Sequence, residues 1–303
     1  PDYSLFSWLS MLFAAGVGIG LMFYGVAEPV VHYLRPPIGD GTAIGAENQA
    51  VNLTMLHWGF NAWSVYALMA LVLAYFSFRR GLPLTLRSAF FPIVGERIYG
   101  PFGAAIDVFA IVCTTFGIST SLGLGVEQLS TGLYYLFNVP ESGGMKLAIT
   151  IAIMSMAAVS VALGLDTGIK RLSEINSFLA IALLCFVLLM GPTALILGGT
   201  LENFGFYVAN LITPSTNLFT YEDTEWLGGW TIFYWGWWIS WAPFVGIFIA
   251  RISRGRTIRE FLIGVMVAPT LFVVLWMNVF GGSAIELIHA GETAFGEAVA
   301  NDQ

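Results

Sequence analysis

The chain has 303 residues, of which 57% are apolar and only 10% charged, and its net charge is −7. Soluble domains are about 45–50% apolar and about 25% charged, and a single soluble core stops growing at roughly 250–300 residues. The composition therefore excludes a soluble protein and points to an integral membrane one whose partner is the lipid bilayer. It also excludes a nucleic-acid binder, because there is no basic stripe to neutralise phosphates. Cys113 and Cys185 both lie in apolar runs and read as small core residues rather than a disulfide or a metal site.

A membrane span needs about 20 mostly apolar residues. Seven such runs are legible, at 5–33, 50–78, 101–136, 147–164, 174–198, 230–250 and 260–281. None alternates as an outer-membrane barrel strand does, so the fold class is all-α and polytopic. The chain opens without Met or a signal peptide and stops just after a loop, so it reads as a piece of a longer protein.

The first run carries Gly16-Val17-Gly18-Ile19-Gly20, which predicts a break, since glycine weakens helices and freed backbone groups need a protein or cavity partner in lipid. The second run carries Trp58, Trp63 and Tyr66, which fall within about 140° of helix surface and sit mid-span. The third, long enough to tilt or bend, carries Thr114, Thr115, Ser119, Thr120 and Ser121, with Thr115 and Ser119 on one face. Such hydroxyls either offer oxygen to a sodium ion or bond back to the preceding turn. The loop 199–229 is acidic, and 202–212 reads as an amphipathic piece at the interface.

The sixth run holds five tryptophans within Trp230–Trp241. Trp230 and Trp235 suit an interfacial belt, but Trp237, Trp238 and Trp241 lie mid-span, with Trp237, Trp241 and Tyr234 on nearly one face. Rings turned into one cavity can cage a quaternary ammonium by cation–π attraction, and nothing acidic lies in this span. Gly236, Pro243 and Gly246 predict a second break. Paired breaks five helices apart are the signature of an inverted-repeat transporter; close packing through small residues is the other reading.

Lys and Arg favour cytoplasmic loops. With the N-terminus inside, ten of the twelve fall there, leaving Arg35 and Lys146 outside. The acids Glu28, Asp107, Glu127 and Asp166 are expected to pair with backbone or Arg near the interfaces, a proton-coupling role for Glu28 or Glu127 being the alternative. His57 and His289 read as too isolated for a metal site, and no clustered nucleophile, base or ligand set suggests an enzyme.

The stretches Gly16–Pro29 (GVGIGLMFYGVAEP), His57–Tyr66 (HWGFNAWSVY), Gly123–Gly125, Gly229–Trp238 and Ala250–Glu260 (ARISRGRTIRE) resemble the betaine/choline/carnitine transporter (BCCT) family along essentially the whole chain. The resemblance implies a leucine-transporter-like fold of twelve helices, the last ten forming two inverted five-helix repeats. It places the first repeat at 1–198 (family helices three to seven), a loop with an amphipathic helix at 199–229, and two helices of the second repeat at 230–303. It assigns the substrate cage to Trp58, Trp63, Tyr66, Trp237, Trp238 and Trp241, flanked by Phe233 and Phe244, with the backbone of Gly16, Gly18 and Gly20 beside the substrate carboxylate.

For sodium, the resemblance implies Thr115 and Ser119 near Phe244, and a second site at the carbonyls of Ala14 and Val17. Carnitine exchangers place an arginine in the third span and a methionine in the sixth; here no arginine lies between Arg97 and Lys170, and Val245 stands at the methionine position. Choline carriers coupled to protons tend to have an acid where this chain has Gly20. The expected function is thus sodium-coupled import of a betaine-like zwitterion across the cell membrane (the bacterial inner membrane). No cofactor is implied beyond the coupling sodium ion and no transition metal, and the resemblance implies a homotrimer. The alternatives are sodium-independent carnitine-type exchange, proton-coupled choline uptake, and a betaine-binding osmosensor.

Overall fold

A computed structural model describes residues 1–16, 18–39, 45–164, 168–222 and 224–300. Val17, Asp166 and Asp223 lie outside the described residues. Among those described, every regular element is a helix. The principal ones are α1 (Leu5–Gly16), α2 (Ile19–Leu34), α3 (Ala46–Trp58), α4 (Phe60–Ala74), α5 (Pro101–Phe137), α6 (Gly143–Ala162), α7 (Lys170–Met190), α8 (Thr193–Ala209), α9 (Phe233–Ile252) and α10 (Ala268–Met277). Six helical stretches are long and apolar enough to cross a membrane, or seven if α1 and α2 count as one broken span. The chain is a multi-pass membrane protein.

Local chemistry sets the ends. α5 begins at Pro101, whose missing N–H is no loss in a first turn, and ends at Asn138, which takes the left-handed conformation at φ 53°. Its 37 residues span about 55 Å, well beyond the roughly 30 Å hydrocarbon core. Ser142 caps α6 by accepting the Met145 N–H at 3.2 Å. Gly191-Pro192 stops α7 short of the expected residue 198 and starts α8, which absorbs most of the segment read as amphipathic. A capping box, with Thr257 and Glu260 bonding each other's backbone N–H at 3.2 and 2.8 Å, starts the next helix at Ile258.

Two expectations about breaks divide. α1 ends at Gly16 and α2 begins at Ile19, so the glycine stretch does interrupt the first span. α9, by contrast, runs unbroken through Pro243. A Cβ on Gly246 would collide with Met69 and reach within 3.4 Å of the Ala70 backbone nitrogen, so this glycine serves close packing, not a break.

An unexpected interruption lies at Gly59, between α3 and α4. It invalidates the continuous helical wheel over Trp58, Trp63 and Tyr66. The Phe60 N–H, freed by the break, donates to the Tyr207 hydroxyl at 2.8 Å. A Cβ on Gly59 would collide with that hydroxyl and sit 2.6 Å from the Met55 carbonyl oxygen. Burial pushes the Tyr207 hydroxyl up to about 12, so it stays a neutral phenol at ordinary pH. Tyr207→Phe is expected to cost about 1–3 kcal/mol by orphaning the Phe60 N–H, seen as a lower thermal unfolding midpoint in detergent; an unchanged midpoint would show that the N–H finds another acceptor.

The chain forms two compact units, each discontinuous in sequence: one of 1–23, 66–179 and 239–261, the other of 24–65, 180–238 and 262–303. The first exposes large apolar side chains on α5, including Phe109 and Phe116, a surface suited to lipid. Its N-terminal residues are held by Trp8, whose indole donates to Ser253 at 2.9 Å and stacks under the Arg256 guanidinium at 4.1 Å. The second unit buries most of the polar network described below. Cys113 is half-buried and Cys185 exposed, both as free thiols; an apolar exterior leaves Cys185 on α7 outside any core.

Candidate substrate site

The candidate site residues of the second unit lie on α2, α3, α4 and the start of α9. The turn Gly228–Ile232 is a π-helical turn leading into α9, a local widening that recurs at functional sites. Within it Thr231 is buried and Trp230 half-buried.

Four of the six expected cage residues come together in this unit. Trp58 stands almost perpendicular to Trp237 and Trp238, with centroids 6.1 and 5.7 Å away. Trp63 lies 6.0 Å from Trp238, and Phe233 flanks Trp237 at 5.7 Å. These are edge-to-face distances that aromatic pairs favour. Two further rings join them. Tyr24 lies 6.1 Å from both Trp58 and Trp237, and Tyr234 lies 5.4 Å from Trp58. Trp230, read as a belt residue, instead packs 4.6 Å from His32 and stacks on Tyr234.

Tyr66 and Trp241 belong to the first unit. Tyr66 is buried on α4. The Trp241 indole donates to the Ser121 hydroxyl of α5 at 3.1 Å, and Gly117 leaves room for its ring. Of the glycines expected beside a carboxylate, Gly16 closes α1, Gly18 is exposed and Gly20 is buried at the start of α2.

Glu28 departs most from expectation. It pairs with neither backbone nor arginine. Fully buried on α2, its carboxylate meets His57 Nδ1 at 2.6 Å and His32 Nε2 at 3.3 Å on one oxygen. The other oxygen accepts from the Trp58 indole at 2.7 Å and from the Tyr234 hydroxyl. The far nitrogen of His57 lies 3.0 Å from the Thr231 hydroxyl. His57 is thus not isolated, and its ring stacks on Tyr234 at 4.5 Å and 12°. A buried ionisable group needs such partners in a membrane interior. The sequence signal was present in the Glu28/His32 spacing of four on one helix and in the adjacent His57-Trp58 pair.

The ligand atoms of Glu28, His32 and His57 lie within 4.8 Å of one another, a spacing that could hold a metal ion. The donor chemistry argues otherwise. The Trp226 indole, a donor only, points at His32 Nδ1 at 3.3 Å. That nitrogen must accept, so Nε2 carries the proton and donates to Glu28 instead of facing a metal. The other acids follow expectation more closely. Asp107 pairs with Arg87 at 2.6 Å, and Glu127 pairs with Lys146 at 2.6 Å. His289 also has company, with Glu47 at 3.4 Å and the Tyr33 hydroxyl at 2.8 Å.

The expected sodium ligands lie in the first unit. The Thr115 and Ser119 hydroxyls donate back to the carbonyls of Ile111 and Thr115, each at 2.9 Å. That leaves their oxygen lone pairs unused. Thr115 lines a cavity of about 300 Å³ together with Thr114, Pro243 and Phe244; Ser119 is one turn beyond that lining. Ala14 is half-buried on α1, and Val17 lies outside the described residues.

Comparisons with known proteins give one answer. The family model described as BCCT, betaine/carnitine/choline family transporter, matches residues 1–303. The chain is 50% identical over 303 residues to a protein of Acinetobacter baylyi named glycine betaine transporter, covering 100% of this chain and 46% of that one. It is 48% identical over 305 residues to the high-affinity choline transport protein of Escherichia coli K12, covering 100% and 45%. It is 48% identical over 294 residues to the Bacillus subtilis glycine betaine transporter OpuD, covering 96% and 57%. The chain thus spans about half the length of the curated relatives it matches, and it belongs to the betaine/carnitine/choline transporter family.

Proposed function

We propose that the protein carrying this chain is a secondary transporter that imports a quaternary-ammonium compatible solute, glycine betaine first, by sodium-coupled alternating access. The observation that carries this reading is the convergence of Trp58, Trp63, Trp237 and Trp238, with Tyr24 beside them, from three apolar spans. A trimethylammonium group has no N–H to donate, so it is held by ring faces, each worth about 0.5–2 kcal/mol. Glu28 does not compete for it, because both of its oxygens are already taken by protein donors. The relatives named for betaine and for choline carry the same cationic head, which supports the class of substrate.

Thr115 and Ser119 offer hydroxyl oxygens to the co-transported sodium beside Phe244, with Ala14 contributing a carbonyl to a second ion. The inverted five-helix repeat, a cytoplasmic N-terminus for this segment and a homotrimer belong to the same proposal. The protein performs no covalent chemistry.

The test is uptake of radiolabelled glycine betaine into proteoliposomes of the full-length protein at clamped voltage. Accumulation driven by an inward sodium gradient and absent in potassium is expected. Uptake equal in both, and dependent on internal substrate, would make the protein an exchanger; accumulation driven only by a proton gradient, with choline preferred, would make it a choline carrier. A Thr115→Ala/Ser119→Ala double variant is expected to need at least about fivefold more sodium for half-maximal uptake, the loss of two ligand oxygens each worth about 0.5–1.5 kcal/mol. An unaltered sodium dependence rejects that assignment.

A further inference from the structure

Glu28 is the only acid among the described residues whose side chain is fully buried. Four donors from α2, α3 and α9 converge on it: His32, His57, Trp58 and Tyr234. A carboxylate offers about four lone-pair positions, so the network is saturated. The donors also differ in what they carry. The Trp58 ring touches Tyr24, Tyr234, Trp237 and Trp238. Tyr234 sits one turn before Trp237 and Trp238 on α9 and is itself 5.5 Å from Tyr24. The α3–α4 break follows directly after Trp58, so this indole lies at a helix end, where the backbone constrains it less. The torsion that turns an aromatic ring about its stem is broad and two-fold. A bond from its N–H to a fixed acceptor removes that freedom.

We propose that Glu28 is a positioning residue for the substrate site. It does not touch the substrate. Its carboxylate locks the Trp58 indole against rotation on one oxygen, while the two histidines anchor the other oxygen and hold the carboxylate in plane. The orientation of the ring that meets the trimethylammonium group is thus set by a buried acid on a different helix. This rests on the cage reading above and adds to it the group that aims the cage.

The experiment uses the full-length protein in nanodiscs, labelled with 5-fluorotryptophan, with the Trp58 resonance assigned by Trp58→Phe. Glu28→Gln keeps the size of the side chain, but its amide nitrogen cannot accept, so the two donors facing whichever oxygen it replaces lose their acceptor. The Trp58 resonance is expected to broaden or split in this variant. The KM for glycine betaine is expected to rise at least about tenfold while the maximal uptake rate stays within about threefold. Glu28→Asp retains both acceptor oxygens one methylene back and is expected to restore part of the affinity and a single Trp58 line. A Trp58 resonance that matches the parent in position and width in both Glu28→Gln and Glu28→Asp overturns the proposal. Should the Gln variant not assemble, Glu28→Asp alone decides: a shifted Trp58 line with raised KM supports it, and neither change overturns it. The cage itself is judged separately by Trp58→Leu. An unchanged KM there rejects the cage, while the resonance of the Glu28 variants still reports on the positioning.

Discussion

Replacing Trp238 by alanine is expected to raise the KM for glycine betaine about tenfold or more. The ring stands 5.7 Å from Trp58 and 6.0 Å from Trp63, so its removal would open the proposed cage on two sides. A desolvated cation–π contact is worth up to about 2 kcal/mol, and about 1.4 kcal/mol is a factor of ten. Packing is the rival explanation, because truncating a buried tryptophan costs about 3–5 kcal/mol of stability whatever it binds. Trp238→Phe separates the two. It leaves a smaller cavity and keeps a π face, so the affinity for a quaternary ammonium is expected to stay within about fivefold of the parent. Apparent affinities that remain unchanged in the alanine variant would remove Trp238 from the site. A phenylalanine variant as weak as the alanine one would point to shape rather than to the ring face.

Glu28→Leu is expected to lower the stability of the folded protein by about 3–5 kcal/mol, the range found when one partner of a buried ionic pair is removed. Leucine is of similar volume, so the cost is not a void. It comes from leaving the donors of His32, His57, Trp58 and Tyr234 without the acceptor they share, the Trp58 indole keeping only the Tyr234 oxygen at 3.3 Å. Thermal unfolding in detergent, together with recovery of monodisperse protein, measures it. A midpoint equal to that of the parent would mean that water enters and satisfies the four groups, and Glu28 would then be dispensable to the fold.

Some of this was legible in the chain and some was not, for identifiable reasons. The break at Gly16–Gly20 and the long third span read correctly because glycine content and apolar length act locally. The break expected at Pro243 did not occur, since α9 runs through the proline, and Gly246 proved to be a contact with Met69. The break at Gly59 was missed, because the acceptor that satisfies the amide it frees is the hydroxyl of Tyr207, about 150 residues further along the chain. The same distance hid the Glu28 network. Its members are spread over α2, α3 and α9, and each looks unremarkable among its own neighbours in sequence.

Composition and hydrophobic run length by themselves determined that this is a multi-pass helical membrane protein, because the bilayer tests every stretch of about 20 residues independently of the others. The aromatic residues suited to a quaternary ammonium were also visible, because only their type and their place in mid-span were needed. Tertiary structure alone decided which rings meet, that Tyr24 and Tyr234 join Trp58, and that a single carboxylate gathers two histidines, an indole and a phenol. Hydrogen bonds are short-ranged and directional, so their partners are chosen by the packing of whole helices and not by spacing along the chain.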